Sequence, residues 1–286
     1  MELTIKNKLD RKAINDLIDL VTMKNIKTIS YLDISSVKFV DPYGMVLLLQ
    51  LLRSMNSIDR IDYPLDNVAS YMVRASFFSH LENFKSLDKK AKTLRFLYKK
   101  KEDNSTMLEI TKIESSEDIL SVIRIVTEQT RSILEIALKY SDNEILGFIT
   151  MLSELLDNII RHSKATGYIC AQVYRYPNSD RSYVSVCISD TGIGVKRSLV
   201  ESPFLSFSNI NDMRALRLAV IDSVTSKEKG GIGFYGIKEM VKKYSGSLYI
   251  RSGSAELTID SKGKYLINSR IAQFTGTQIE LRLPQR

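Results

Sequence analysis

Apolar positions change their period several times along the chain, and each change predicts an element. LTIKNK (3–8) predicts a short strand, and RKAINDLIDLVTMKN (11–25) a helix. TISYLDIS (28–35) is apolar enough to read as a strand buried on both faces. VKFVDPYGMVLLLQLLRSM (37–55) reads as strand, turn at Asp41-Pro42, then helix, and NVASYMVRASFFSHLENF (67–84) as a closing helix. Strands alternating with helices predict a small α/β layer unit over 1–90. A charged stretch, 91–108, reads as a basic linker. The second unit, 109–286, opens with the strand in TMLEITKIES (106–115) and the amphipathic helix in SEDILSVIRIVTEQTRSILEIALKY (116–140). No internal repeat is visible.

Composition narrows the class without naming a function. With 286 residues, 44% hydrophobic and 26% charged, the chain is an ordinary globular protein of one large or two average domains. Cys170 and Cys187 lie in strand-like runs, predicting buried free thiols in a reducing compartment. Two cysteines with His80 and His162 argue against a zinc site. The opening residues lack the apolar core of a signal peptide, and MVLLLQLL (45–52) is too short to span a bilayer, so a cytoplasmic location and no membrane partner are expected. The net charge of +8 is spread thinly, except for the lysine-rich run 89–101. That run suits a solvated linker or edge better than a nucleic-acid surface, with an acidic partner left open.

Three segments carry candidate chemistry. In GFITMLSELLDNIIRHS (147–163), Leu152, Leu155, Leu156, Ile159 and Ile160 form an apolar stripe, with Glu154, Asn158, Arg161 and His162 on the opposite side. Asn158 can give a hard oxygen to Mg²⁺. Glu154 can orient or deprotonate an attacking hydroxyl or water, and Arg161 and His162 can contact phosphate. An ordinary solvated face with an Asp157–Arg161 pair explains the same residues. In YVSVCISDTGIGV (183–195) a strand ends at Asp190, an acceptor able to read an exocyclic amine such as adenine N6. Gly192 and Gly194 permit close backbone approach; a plain strand-to-loop turn is the alternative. In KEKGGIGFYGIKEMVKKYSG (227–246), Gly230, Gly231, Gly233 and Gly236 lead into a helix whose amides suit phosphate, although a structural glycine loop remains open. A Rossmann site is excluded because the preceding segment is helical and then polar.

Two resemblances follow from these motifs. YLDISSVKFVDPYGMVLLLQLL is similar to the signature of the STAS family of anti-sigma-factor antagonists: a strand, Asp-Ser-Ser/Thr-Gly, a helix. Here the motif reads Asp41-Pro42-Tyr43-Gly44, so the family's phosphorylated hydroxyl falls on Tyr43, which favours a docking scaffold over a phospho-switch. Glu-x-x-x-Asn, Asp-x-Gly-x-Gly, Gly-x-Gly and the terminal FTGTQIELRLP, in that order, resemble the Bergerat ATPases, which include gyrase B, histidine kinases and anti-sigma serine kinases. The resemblance implies an α/β sandwich binding ATP and Mg²⁺. It makes Glu154 the acid, Asn158 the magnesium ligand, Asp190 the adenine reader, Gly192/Gly194 and Gly231/Gly233 the glycine boxes, and Thr277, after Gly276, the support of the adenine site. It makes 198–230 the ATP lid, with Ser226 and Lys227 reaching phosphate. Residues 108–153 hold no acceptor histidine, and no transducer domain is expected after the second unit. The anti-sigma serine-kinase type, Glu154-x-x-x-Asn158-x-x-x-His162, is therefore expected. It would phosphorylate or sequester a protein such as a STAS-type or sigma-factor-like regulator. A non-catalytic ATP-gated module and a slow ATPase forming a homodimer on ATP are the alternatives.

Overall fold

The structure, a computed structural model, describes residues 2–24, 29–54, 58–81, 85–98, 106–114, 119–159, 165–226 and 233–286. The chain divides into two compact units, Met1–Asn104 and Ser105–Arg286.

The first unit contains β1 (Glu2–Thr4), β2 (Asn7–Leu9), α1 (Arg11–Met23), β3 (Tyr31–Asp33), β4 (Val37–Val40), α2 (Pro42–Ser54), β5 (Arg60–Asp62), α3 (Asn67–Arg74), a 3-10 turn (Phe77–Leu81) and α4 (Lys85–Leu97). β1, β3 and β5 form a parallel sheet in that order, and β2 pairs in parallel with β4. Parallel neighbours need crossovers, and α1 and α2 lie in them. Asp10 caps α1 by accepting the Ala13 N–H at 3.1 Å. Asp41 does the same for α2 through the Gly44 N–H at 2.7 Å, with Pro42 in the first turn. Gly44 is required there: a Cβ would lie 2.2 Å from the Leu9 carbonyl oxygen. Every residue of α2 from Pro42 to Leu52 is buried. Tyr43 is 0% exposed and donates its hydroxyl to Asn15 Oδ1 at 3.4 Å, so it offers no accessible acceptor.

Two expectations change in this unit. The closing helix of 67–84 ends at Arg74, where Ser76 adopts φ +61° and the chain restarts as the 3-10 turn. The linker expected over 91–108 is helical up to Leu97. Ala91 and Leu94 are buried, and Lys90 ion-pairs with Asp62, which Arg60 and Tyr31 also hold. These contacts keep the Asp62 carboxyl well below the usual carboxylate range, the Arg60 bond being the largest cause.

The second unit contains β6 (Met107–Ile113), α5 (Ile119–Ser132) continued by a π-turn segment (Ile133–Ala137), α6 (Asp142–Asn158), β7 (Gly167–Arg175), β8 (Ser182–Asp190), α7 (Gly194–Val200), α8 (Asp212–Leu216) continued by a second π segment (Arg217–Ile221), α9 (Gly233–Tyr244), β9 (Ser247–Gly253), β10 (Ala255–Ile259), β11 (Tyr265–Asn268) and β12 (Phe274–Pro284). Its sheet runs β11-β10-β9-β12-β8-β7-β6, antiparallel at every step. Val184, Val186 and Ile188 of β8 alternate onto one face with Ile279, Leu281 and Leu283 of β12. Leu152, Leu155 and Leu156 of α6, with Ile237 and Val241 of α9, pack against them. This is the α/β sandwich expected. Cys170 and Cys187 are buried, form no disulfide, and are register partners across β7 and β8. Among the described residues no helix is long and apolar enough to cross a membrane.

Candidate functional site

Asp190 ends β8, and its parity with Val184, Val186 and Ile188 turns it toward the helical layer. It is 7% exposed. Burial raises its carboxyl from the ordinary 3.8 to about 6, against the opposing pull of the Gly192 and Thr277 N–H groups. The Gly192 N–H lies 2.8 Å from Oδ1. Thr277 reaches the carboxylate because β12 bulges: its pairing with β9 jumps from Phe274 to Thr277. Gly276, inside the bulge, has φ +78°, and a Cβ there would lie 2.0 Å from the Asp190 carbonyl oxygen. Gly194 has φ +72° and opens α7 against the same bulge. Only glycine fits both places without strain.

α6 approaches from the other side. Its N-terminus is capped by Ser141, whose N–H donates to Glu144 at 2.9 Å. The apolar stripe then sets its rotation, so that Leu155, Asn158 and Ile159 face a cleft that Asp190 also lines. The cleft is open at its mouth, with a cavity volume of about 120 Å³. Ile188 and Ile279 form an apolar floor, Thr277 lies beside Asp190, Ser198 of α7 forms one side, and residues 223–226 with Phe234 and Tyr235 form another.

The structure thus brings Asn158, Asp190, Gly194, Ser226 and Thr277 into one cavity. Gly192 and Gly276 stand behind the Asp190 carboxylate, and Gly233 starts α9 next to Phe234 of the cleft. Glu154 is half-buried one turn before Asn158 on α6 and is not among the residues lining the cleft. Arg161, His162, Lys227 and Gly231 lie outside the described residues. The lid expected over 198–230 is partly core, since Ala215, Leu216 and Val220 join the apolar cluster. Sequence reasoning missed Ser198 and Tyr235 on the walls, and Ser252 and Gln278 behind the bulge. Ser252 Oγ accepts the Val195 N–H at 3.0 Å and donates to the Gly276 carbonyl at 2.8 Å.

Among the described residues no cluster of three or more His, Cys, Asp or Glu could hold a metal. A magnesium ion arriving with a nucleotide fits all the same. It takes few protein ligands and is held largely by phosphate oxygens and water, and the Asn158 amide, which lines the cleft, would supply one hard oxygen.

No curated protein matches the chain closely enough to serve as a relative. The family described as histidine kinase-, DNA gyrase B-, and HSP90-like ATPase matches residues 143–286, from the first turns of α6 through β12, with every residue lining the cleft inside the match. The N-terminal unit is outside it. The chain therefore belongs to the family of histidine kinase-, DNA gyrase B- and HSP90-like ATPases and is an ATP-binding protein.

Proposed function

We propose that the chain is an ATP·Mg²⁺-dependent regulator of the anti-sigma serine-kinase type, which phosphorylates or sequesters a protein partner. The observation that carries this reading is the shared cleft: a carboxylate at a strand end and an amide on a helix face one cavity. Asp190 accepts the adenine amine, with Thr277 and Gly192 holding the carboxylate. Asn158 contributes an oxygen to magnesium at the phosphate end. The absence of histidine from residues 108–153 speaks against an autokinase of the usual histidine type. The N-terminal unit, STAS-like in its Tyr31–Leu52 segment, serves as a docking scaffold. Since Tyr43 is fully buried, the phosphoacceptor is a Ser or Thr on another protein, of STAS or sigma-factor-like type.

One observation favours a second reading. Glu154, the candidate base, is not on the cleft wall. An ATP-gated binding module needs no base; nucleotide binding alone would change affinity for the partner, a coupling typically of about 1–3 kcal/mol. Incubation with γ-labelled ATP and proteins captured on the full chain separates the two. Label on a partner Ser or Thr supports the kinase. ATP-dependent capture without label supports the module, and released phosphate with ATP-dependent dimers supports a slow ATPase. Failure to bind adenine nucleotides at all overturns every version.

A further inference from the structure

Gln278 follows Thr277 in β12 and is 0% exposed. Its register partners are Ser189 on β8 and Arg251 on β9. Parity puts it on the sheet face opposite Ile279 and the helical layer, away from the cleft. Its amide nevertheless works at the back of the site. Nε2 donates to the main-chain carbonyl of Asp190 at 3.2 Å and to that of Thr275 at 2.7 Å. The β12 bulge lies between those carbonyls, where the register skips Thr275 and Gly276. Main-chain groups set outside a ladder need other partners when buried. Gln278 serves the Thr275 carbonyl, and Ser252 serves that of Gly276.

We propose that Gln278 is a positioning residue for base recognition: by tying the Asp190 main chain to the bulge, it holds the Thr277 N–H against the Asp190 carboxylate and leaves the rest of that carboxylate free for the exocyclic amine of adenine. The inference rests on the assignment of Asp190 as base reader. Its physical content is donor number and reach. A side-chain amide on this stem supplies two N–H groups, enough for two carbonyls. Methionine fills the same space and donates nothing.

The geometry has a consequence that bulk packing lacks. The balance at the Asp190 carboxyl is burial, which raises it, against the Gly192 and Thr277 N–H groups, which lower it; among the described residues no charged side chain contributes. When the bulge relaxes, the Thr277 donor retreats and the carboxyl moves higher. ATP binding, which needs the ionised acceptor, then fails at a higher pH than in the parent.

The test uses the full chain and a fluorescent ATP analogue, displaced by ATP or by GTP across the range around pH 6. Four variants are read: Gln278→Met, Gln278→Asn, Asp190→Asn and Leu283→Ala. Gln278→Met should weaken ATP roughly tenfold or more and GTP little, because displacement of a recognition group by about 1 Å costs up to ~10²-fold. It should also raise the midpoint of the pH profile. Gln278→Asn keeps the donors, cannot span both carbonyls, and should move both readouts the same way by less; it carries the test if Gln278→Met does not fold. Leu283→Ala truncates a core side chain farther along the same strand, and should lower the melting temperature while leaving ATP preference and midpoint unchanged. Folded Gln278 variants with the parental preference and midpoint would overturn the proposal. A parent that binds ATP and GTP alike, or an Asp190→Asn variant with full ATP affinity, would instead remove the base-reading assignment beneath it.

Discussion

Asp190→Asn should stabilise the nucleotide-free protein at neutral pH while weakening its hold on ATP. Burial lifts the Asp190 carboxyl from 3.8 to about 6 in the folded state. The folded value lies above the unfolded one, so the stabilising contribution is complete below about 3.9 and is lost as pH rises through about 6. Above that, the folded state carries a buried charge costing about 3 kcal/mol, at ~1.4 kcal/mol per unit. Asparagine removes the charge but turns its NH₂ toward the Gly192 or Thr277 N–H, forfeiting a hydrogen bond worth about 1 kcal/mol. The net gain of about 2 kcal/mol corresponds to about 4–8 °C in a unit of this size. Thermal unfolding of the two proteins without nucleotide, at pH 7.5 and near pH 4, measures the gap between them. The variant should melt higher at pH 7.5, and the gap should close or invert in acid. A gap of constant size across that range, or a variant less stable at pH 7.5, would refute the reasoning. Saturating ATP should restore the parent's advantage, since a ligand at about 100 times its Kd adds ~2.7 kcal/mol.

Other outcomes follow from the same geometry. Gly276→Ala should cost at least about 1–2 kcal/mol from its left-handed φ alone, more once the 2.0 Å approach to the Asp190 carbonyl is relieved, and should abolish nucleotide binding; urea midpoints and calorimetry read both. Asn158→Ala should leave metal-free ATP binding in place and remove its enhancement by Mg²⁺, as titration with and without the metal would show. Glu154→Ala should spare ATP affinity and lower turnover by roughly 10²–10⁴-fold if the carboxylate acts as a base; unchanged phosphoryl transfer would take it out of the chemistry.

The sandwich was legible wherever a period ran long enough to be measured. β12 spans the whole of FTGTQIELRLP, and β8 ends at Asp190 as its alternation predicts. β5 was invisible because three residues with one buried side chain, Ile61, define no period. α4 was hidden by its lysines; among its described side chains Ala91 and Leu94 are buried. The break at Ser76 carries no glycine or proline to announce it; tertiary packing of Phe77 and Phe78 against each other and Tyr63 selects the left-handed turn. In the site, Asn158, Asp190, Gly194 and Thr277 were given roles from their motifs, whereas Ser198 and Tyr235 on the walls were not, and Gln278 and Ser252 act on main-chain atoms of the bulge and of β8. Their roles exist only once β8, β9 and β12 lie side by side.

The walls of the cleft are held by different kinds of force, and this decides where a nucleotide signal can act. Asn158 and Asp190 stand on α6 and β8, whose apolar faces lie in one continuous core, so moving either disrupts packing across the unit. Residues 221–226 are held more lightly, by the partly buried Ile221 and Val224 at the edge of that core and by polar bonds. Lys238 of α9 donates to the Ile221 carbonyl at 2.9 Å and to Ser223 Oγ at 3.1 Å. The Ser198 and Ser226 hydroxyls meet at 3.2 Å, and Ser202 Oγ donates to the Ser226 carbonyl at 2.9 Å. Each such bond is worth about 0.5–1.5 kcal/mol net, and water can replace any of them, so moving this wall disturbs the core only at Ile221 and Val224. Its two anchors are α7, which follows the first glycine box, and α9, which follows the second. A nucleotide that shifts the end of either helix would bear on the same strap, and a partner that contacts 221–226 would sense occupancy without touching the base.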